Sequence, residues 1–530
     1  MICGDSGKKQ VSRAAGVVGL FTLLSRFAGL VRDIVVAAMF GSSSAADAFF
    51  VAFRIPNLLR SLFAEGALTV AFIPLFTEYL TIKGKDQALE LARVVLTILS
   101  LILAVITVAG ILFAPWIVSI QAFGFGLEGH RHDLTVLLTK ITFPYIFLIS
   151  IVAFFMGVLN SLKHFAAPAA SPILLNIGII LSAWLLAPVL DEPVVSLAIG
   201  VLIGGVLQVL LQVPWVLRSG LKLIPLWQPR HPALKRMGIL VLPAIFGAAV
   251  YQFNQFVGTL LASFLEEGSV SWLYYADRLV QFPLGVFAIA LSTASLPSLA
   301  ACAANKDMVR FDEIISSALR LVFFISIPSL IGLIVMGELL IAVIFEHGAF
   351  DARSSLMTYW ALIFYSIGLW AFSGIKILIS GFYAAQDTKT PLKGSGLAFI
   401  INAVLGIFLM GKIGHMGLAL ALSLAATVQF FFLAVCLKKR IVDINFKEIL
   451  KTVIKTIAAS IVMGCILFVL GIFLKEWMVS SIIFQIFKLI ILLFTGISVF
   501  LSTAKLLHCN ELDSVLDMFR PLLGFFKARG

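Results

Sequence analysis

Charged side chains are scarce in this chain of 530 residues. Asp, Glu, Lys and Arg make up 12% of it, about half of the ~25% in an average soluble protein. Apolar residues make up 61%. A surface with so little charge excludes a set of soluble domains, so we expect an integral membrane protein. Because its apolar runs are continuous and do not alternate, they predict membrane-spanning helices and exclude a transmembrane barrel.

Sequence motifs for catalysis and metal binding are also missing. The chain has no HExxH, GxSxG or Walker sequence, so no enzymatic activity and no cofactor are predicted. Its five scattered cysteines form no CxxC pair, which excludes a disulfide framework or a cysteine metal site. The polar run 128–133 (EGHRHD) is interpreted as a solvated outer loop. Because the chain has no ATP-binding sequence, any transport by it would have to draw on an ion gradient, the membrane potential or a substrate gradient.

The apolar runs predict fourteen membrane spans, of which the first, second and seventh cover residues 14–40, 45–79 and 236–265. With an inner N-terminus, 27 basic residues fall on the inner side and four on the outer side. Since basic residues concentrate in cytoplasmic loops, both termini are predicted to lie on the cytoplasmic side of a plasma membrane. The net charge of +12 thus marks cytoplasmic loops and does not indicate a nucleic-acid partner.

The chain repeats weakly at an offset of 223 residues. Pro74 and Pro297 are one matching pair, and Pro168 and Pro391 are another. Six helices fit each period, which predicts two parallel lobes related by a pseudo-twofold axis and followed by two further helices. The predicted domains are residues 1–232 and 233–440 for the lobes, 441–506 for the added helices and 507–530 for an amphipathic tail on the inner membrane surface.

Several charged residues lie inside predicted spans, where a cation costs a few kcal/mol and usually faces a cavity. They are Arg26, Arg32, Arg54, Arg60, Lys140, Arg278, Lys376 and Lys488, with Asp33, Asp47, Glu65 and Asp277. The arginine-bearing helices occupy matching places in the two lobes, so we expect them to line one central cavity. Arginine binds phosphate in a planar, bidentate manner. The cavity therefore favours an anionic, phosphate-bearing substrate.

Structural roles for these charges remain open. Arg32 has Asp33 and Asp47 as potential partners, and Arg60 has Glu65. Lys140 and Lys488 are expected to extend toward the membrane surface. Lys376 lies deep in the tenth span, which favours a role in the cavity, and Asp277 adjoins Arg278 there.

Four sequence strings identify a family. They are 25–33 (SRFAGLVRD), 46–60 (ADAFFVAFRIPNLLR), 269–279 (SVSWLYYADRL) and 387–391 (DTKTP). Together they resemble the MurJ family, also called MviN, of bacterial lipid II flippases. The resemblance implies the fold of the multidrug/oligosaccharidyl-lipid/polysaccharide exporters. It also implies transport of undecaprenyl-pyrophosphate-linked peptidoglycan precursor to the outer leaflet by a protein that works as a monomer.

The resemblance also assigns roles to residues. Arg26, Arg32 and Arg278 match cavity arginines that bind the substrate head group. Sensitive positions of the second helix are matched by Asp47, Arg54, Arg60 and Glu65. Gln281 departs from the glutamate of some relatives. Relatives that bind sodium use carboxylates of the seventh and eleventh helices, where this chain offers only Asn254 and Asn402. In this family the last two helices border a groove for a lipid tail.

Other functions fit the sequence less well. A drug/cation antiporter of the same superfamily would need an acidic cavity, and this one is basic. A flippase for lipid-linked O-antigen or capsule oligosaccharide could share the arginines and is the closest alternative. A membrane glycosyltransferase would need clustered acids, and the chain has no DxD. A scaffold protein would have no reason to keep cations in its spans.

Overall fold

We analysed a computed structural model that describes residues 5–60, 71–442, 444, 446–476 and 481–517. Two compact units divide the chain. The first comprises Met1–Ser271 with Gly348–Phe350, and the second comprises Trp272–His347 with Asp351–Gly530. The first unit thus extends beyond the predicted lobe boundary at residue 232, and the lobe division remains a prediction.

Helices are the regular structure throughout the described residues, as the continuous apolar runs predict. In the first unit they are α1 Asp5–Phe40, α2 Ser44–Arg60, α3 Ile73–Ile82, α4 Lys85–Leu112, α5 Ala114–Gln121, α6 His130–Thr142, α7 Tyr145–Ser161, α8 Ala166–Leu186, α9 Val195–Arg218 and α10 Pro232–Ser263. α11 Ser269–Pro283 begins there and continues into the second unit. The second unit adds α12 Ile289–Ala304, α13 Met308–Phe345, α14 Ala352–Ile367, α15 Leu369–Ala384, α16 Lys389–Ile413, α17 His415–Arg440, α18 Phe446–Glu476 and α19 Ile482–Leu506.

Ten helical segments of the described residues are long and apolar enough to cross a membrane, and α14 with α15, bent by 43°, makes an eleventh. The chain is therefore a multi-pass membrane protein. The first, second and seventh predicted spans correspond to α1, to α2 and α3 together, and to α10. Residues 61–70, between α2 and α3, lie outside the described residues.

Helix boundaries recur at the same offset as the prolines. α4 begins at Lys85 and α13 at Met308; α7 ends at Ser161 and α15 at Ala384. α8 and α16, which carry Pro168 and Pro391, likewise begin 223 residues apart. One proline pair could match by chance, but a row of helix ends could not. The described helices therefore agree with the repeat that the sequence indicates.

α7 and α15 are followed by turns of the same conformation. After α7, Lys163 has φ 64°, and after α15, Gln386 has φ 59°. In both turns the next amide donates back over five residues, His164 N to Leu159 O at 2.8 Å and Asp387 N to Phe382 O at 2.9 Å. This is the Schellman ending, which normally takes glycine because other residues are strained at positive φ.

Close approach of backbones holds the first unit together around α8 and α9. A Cβ at Gly204 would lie 2.8 Å from Leu175 Cα, and one at Gly178 would lie 2.6 Å from Gly204 N. Small residues allow such contacts, which replace the hydrophobic effect as the source of helix association in lipid.

The segment after α19 packs onto the second unit. Leu512 is buried among apolar side chains of α13, α18 and α19. Glu511 accepts a hydrogen bond from Thr452 at 2.9 Å and lies 3.3 Å from Arg320 Nε. Protein contacts therefore hold residues 511 and 512. Residues 518–530 of the predicted amphipathic tail lie outside the described residues, and its place on the membrane surface remains a prediction.

The positive φ at the repeated turn makes a stability prediction. Gln386→Gly should raise the free energy of unfolding by about 1 kcal/mol, because glycine adopts positive φ without strain. Ala385→Gly, one residue earlier at φ −84°, is the matched control and should lower it. Thermal unfolding of the purified protein in detergent measures both. A destabilised Gln386→Gly variant would contradict this account of the turn.

Candidate functional site

Asp47 lies near the start of α2 and is fully buried. Its Oδ2 accepts from Arg131 Nη2 and Gly268 N, both at 2.8 Å, and its Oδ1 accepts from Ser271 N at 2.8 Å and Ser271 Oγ at 2.6 Å. Four donors from three residues of the first unit thus hold one carboxylate. This network gives Asp47 a structural role, and its role in substrate binding remains a prediction.

A second hydrogen bond joins the starts of α2 and α11, and here α2 supplies the donor. Ser44 N, at the start of α2, donates to Glu267 Oε1 at 2.5 Å just before α11. Glu267 accepts from an amide at the start of α2, and Asp47 accepts from an amide at the start of α11. Both amides belong to the first turn of a helix, where an isolated helix leaves them unbonded. Ser44 and Glu267 are 223 residues apart and are equivalent positions of the repeat.

Arg131 was expected in a solvated loop, and that interpretation is wrong. Its guanidinium lies 2.8 Å from Asp47 Oδ2 and 3.7 Å from the centre of the Phe125 ring, with its side chain 22% exposed. A buried carboxylate needs a partner, and Arg131 at the start of α6 supplies it. That signal was visible in the sequence, because Arg131 is one of only four basic residues on the predicted outer side.

Arg32 on α1 is tightly paired. Its Nη2 and Nε donate to Asp33 Oδ1 at 2.6 and 3.0 Å, and Nη1 donates to Asn176 Oδ1 of α8 at 3.1 Å. The Asn176 amide donates in turn to Ser25 O at 3.3 Å. Of the two alternatives for Arg32, the structure thus selects pairing with Asp33. This contact fixes the direction of its guanidinium without excluding a bound anion.

Arg26 lies six residues before Arg32 on α1 and differs from it in its surroundings. Its side chain is exposed, and it forms no ion pair within the described part of the chain. Gly29, between the two arginines, faces α8: a Cβ at this position would lie 3.8 Å from Asn176 Nδ2, an ordinary contact distance. The two arginines therefore offer one exposed and one oriented guanidinium group.

The arginines of α2 contact neighbouring polar groups. Arg54 Nη2 donates to the side-chain oxygen of Gln255 on α10 and, at 3.4 Å, to its backbone oxygen. Arg60 Nε donates to Asn57 Oδ1 at 3.0 Å. Glu65, the predicted partner of Arg60, lies outside the described residues. Gln255 and Asn176 were not predicted, because neutral amides in apolar spans give no charge signal.

Arg278 on α11 is exposed. Its Nη2 and Nε donate to the Tyr274 hydroxyl at 2.8 and 3.2 Å, and the guanidinium lies 4.9 Å from the Tyr274 ring centre. Asp277 accepts from Gln281 Nε2 at 3.4 Å. The residue that replaces the glutamate of some relatives thus contacts Asp277. Tyr274 thus holds the guanidinium of Arg278 over its own ring and hydroxyl.

The remaining candidates lie apart. Lys376 is half-buried in α15, and its backbone oxygen accepts from Ser292 at 3.0 Å, while its ammonium contacts no polar group among the described residues. Asn254 of α10 belongs to the first unit, and the buried Asn402 of α16 belongs to the second. The described residues contain no cluster of three potential metal-ligating side chains.

Comparison with known proteins connects this arrangement to a family. The family model for the lipid II flippase MurJ matches residues 36–488. The lipid II flippase MurJ of Burkholderia cenocepacia is 41% identical over 432 residues, which cover 81% of this chain and 84% of that protein.

Solved structures agree. A lipid II flippase MurJ in an inward closed conformation matches with a TM-score of 0.77 and 27% identity, covering 96% of this chain and 99% of that one. An inward-facing MATE multidrug transporter of the MOP superfamily shares the fold, with a TM-score of 0.65 at 17% identity over 81% of this chain and 99% of that one. The matched range spans both units, the buried Asp47 network and the arginines of α2 and α11, and on these grounds the chain belongs to the MurJ family of lipid II flippases, which are transporters and not enzymes.

Proposed function

We propose that this chain moves lipid II from the inner to the outer leaflet of a bacterial plasma membrane by alternating access. The observation that carries the proposal is that Arg26 and Arg278 have exposed guanidinium groups on helices of a chain that is 61% apolar. Pyrophosphate carries charges that such groups bind by charge-assisted, bidentate hydrogen bonds. Arg32, Arg54, Arg60, Asp47, Asp277, Glu65 and Lys376 belong to the same proposed site in supporting roles.

The finer architecture is part of this proposal. Fourteen spans would form two six-helix lobes, residues 1–232 and 233–440, with two added helices over 441–506 bordering a lipid-tail groove. The shared helix boundaries and the direct contact of the equivalent positions Ser44 and Glu267 support a twofold relation. The protein would act as a monomer with both termini inside.

The driving force is proposed to be the membrane potential or an ion gradient. Asn254 and Asn402 provide neutral oxygen ligands only, which favours the membrane potential over sodium. Whether the two sets of arginines face one cavity remains a prediction from the sequence.

Complementation tests the function directly. In cells depleted of their own lipid II flippase, this chain should restore growth, and purified protein in vesicles should translocate lipid II. An undecaprenyl-pyrophosphate-linked O-antigen unit should be a poor substrate. Translocation of that unit in place of lipid II would favour the oligosaccharide flippase instead.

Arg26 and Arg32 give a matched pair of variants. Arg26→Ala should reduce translocation ten- to a hundredfold, because each charge-assisted contact is worth about 1.5–3 kcal/mol. Its thermal stability should stay unchanged, since no described residue pairs with it. Arg26→Lys should recover only part of the activity, because lysine keeps the charge without the bidentate contact. Full translocation by Arg26→Ala would contradict a binding role.

Arg32→Ala should lower both translocation and stability, because it removes a positively charged partner of the buried Asp33 carboxylate. The double variant Arg32→Ala with Asp33→Asn should recover stability and not translocation. Thermal unfolding and lipid II translocation are measured on the same preparations. If translocation returns together with stability, Arg32 has only a structural role.

The Asp47 network predicts a strong coupling. Arg131→Ala should destabilise the protein by about 3–5 kcal/mol, because it removes the counter-ion of a buried carboxylate. Adding Asp47→Asn should return part of this loss, since the amide is neutral. Arg230→Ala, at an exposed position, serves as the control and should be silent in thermal unfolding. Additive effects of the Arg131 and Asp47 changes would refute the coupling.

Orientation is tested with single cysteines in a cysteine-free background. Cysteines at Glu128 or Asp191 should react with a membrane-impermeant thiol reagent in intact spheroplasts, and cysteines at Lys85 or Asn305 should not. All four positions are exposed and outside the Asp47 network. Labelling of Lys85 and Asn305 alone would invert the proposed topology.

A further inference from the structure

A cavity lies between α12 and α13 of the second unit, and none of the residues of the proposed transport site lines it. It is open on one side and has a volume of about 330 Å³. α12 contributes Leu291 and Ser295, and α13 contributes the larger part of the wall. The lining residues on α13 are Arg310, Glu313, Ile314, Ser317, Ala318 and Leu321.

The charged residues of this cavity lie at one end of it. Arg310 and Glu313 lie within the first two turns of α13, near the end that the charge distribution places inside. Leu321, at the other end of the α13 wall, lies eleven residues further on, about 16 Å away at the helical rise of 1.5 Å per residue. One leaflet of hydrocarbon is about 15 Å thick. The cavity therefore extends from the membrane surface through roughly one leaflet, as an acyl chain does.

Arg310 and Glu313 form the charged rim of the cavity, and both remain available to bind a ligand. Arg310 and Glu313 are three residues apart and so share a face of α13. Both side chains are exposed. Neither forms an ion pair with any residue that the structure describes. The Arg310 amide is satisfied separately by Asp307 Oδ1 at 3.1 Å. The rim thus presents a cation and an anion to one ligand.

We propose that this cavity binds a phospholipid with a zwitterionic, primary-amine headgroup, such as phosphatidylethanolamine, in the inner leaflet. The guanidinium of Arg310 takes the phosphate in a bidentate contact, and the carboxylate of Glu313 accepts hydrogen bonds from the ammonium. Ser317 adds a hydroxyl about one turn further along α13 than Glu313, and the acyl chain covers Ile314 and Leu321. A phosphatidylglycerol headgroup has no group for Glu313, and a choline headgroup has no N–H to donate.

The site adjoins a break in the helix before it. Leu284–Ala288 form a π-helical turn between Pro283 and α12, and π-turns and prolines are where helices bend. A lipid bound between α12 and α13 would pack next to this π-helical turn. Binding would therefore favour the α12 position seen here.

Photo-cross-linking tests the proposal on the full-length protein in nanodiscs of phosphatidylcholine. Phosphatidylethanolamine, phosphatidylglycerol and phosphatidylcholine probes carry the same diazirine acyl chain, and labelled peptides are mapped by mass spectrometry. The ethanolamine probe should label the 308–321 segment at least fivefold more than the other two. Equal labelling by all three probes would overturn the headgroup assignment.

Two variants separate the charges. Arg310→Gln should reduce labelling by the ethanolamine probe about tenfold, the lower end for a charge-assisted contact at a partly exposed rim. Glu313→Gln should abolish the preference for the phosphatidylethanolamine probe over the phosphatidylglycerol probe. Labelling by the phosphatidylglycerol probe itself should stay unchanged. Arg230→Gln, which removes one exposed charge from the first unit, is the matched control. Labelling that Arg310→Gln and Glu313→Gln leave unchanged would overturn the site.

Competition identifies the occupant. Added at equal concentration to the probe, lipid II should leave labelling of the 308–321 segment unchanged. Displacement of the probe by lipid II would assign the cavity to the transport substrate and overturn the proposal. Because the variants alter exposed side chains only, their thermal unfolding should match that of the parent protein.

Discussion

Hydrocarbon offers a peptide group no hydrogen-bond partner, and the rest of this structure depends on that constraint. Every backbone N–H and C=O at membrane depth has to be bonded within the chain, which the helix achieves. Breaks are therefore few and locally satisfied. At the end of α7, for example, His164 N donates to Leu159 O at 2.8 Å. Backbone bonds also continue at the short joints between helices: Phe143 N donates to Thr139 O between α6 and α7, and Phe372 N donates to Gly368 O between α14 and α15, both at 2.9 Å.

The same lack of water decides which charges are structural. Asp47 is fully buried, and its carboxylate is held by four donors from Arg131, Gly268 and Ser271. Removing water from a carboxylate is costly, so this network ties the starts of α2, α6 and α11 firmly together. Arg26 keeps an exposed side chain. Charges with partners thus hold the protein, and charges without such shielding remain available to a ligand.

Repetition follows from the membrane as well. Helix boundaries such as Lys85 and Met308 recur at 223 residues, as expected for two segments that cross the same thickness of membrane. Function needs differences between the halves. The position equivalent to Asp47 at the 223-residue offset is Val270. Only Asp47 therefore provides the carboxylate that organises the network. The repeat therefore sets the architecture, and its departures set the chemistry.

The sequence by itself determined the membrane class, the helical fold, the 223-residue repeat and the family, because composition, run length and specific strings are local properties. It also indicated the arginines. Only the tertiary structure decided their partners: Arg32 with Asp33 and Asn176, Arg54 with Gln255, and Arg131 with Asp47. These contacts join residues up to 201 positions apart. Hydropathy and spacing cannot encode them, because which charge meets which amide depends on how whole helices pack.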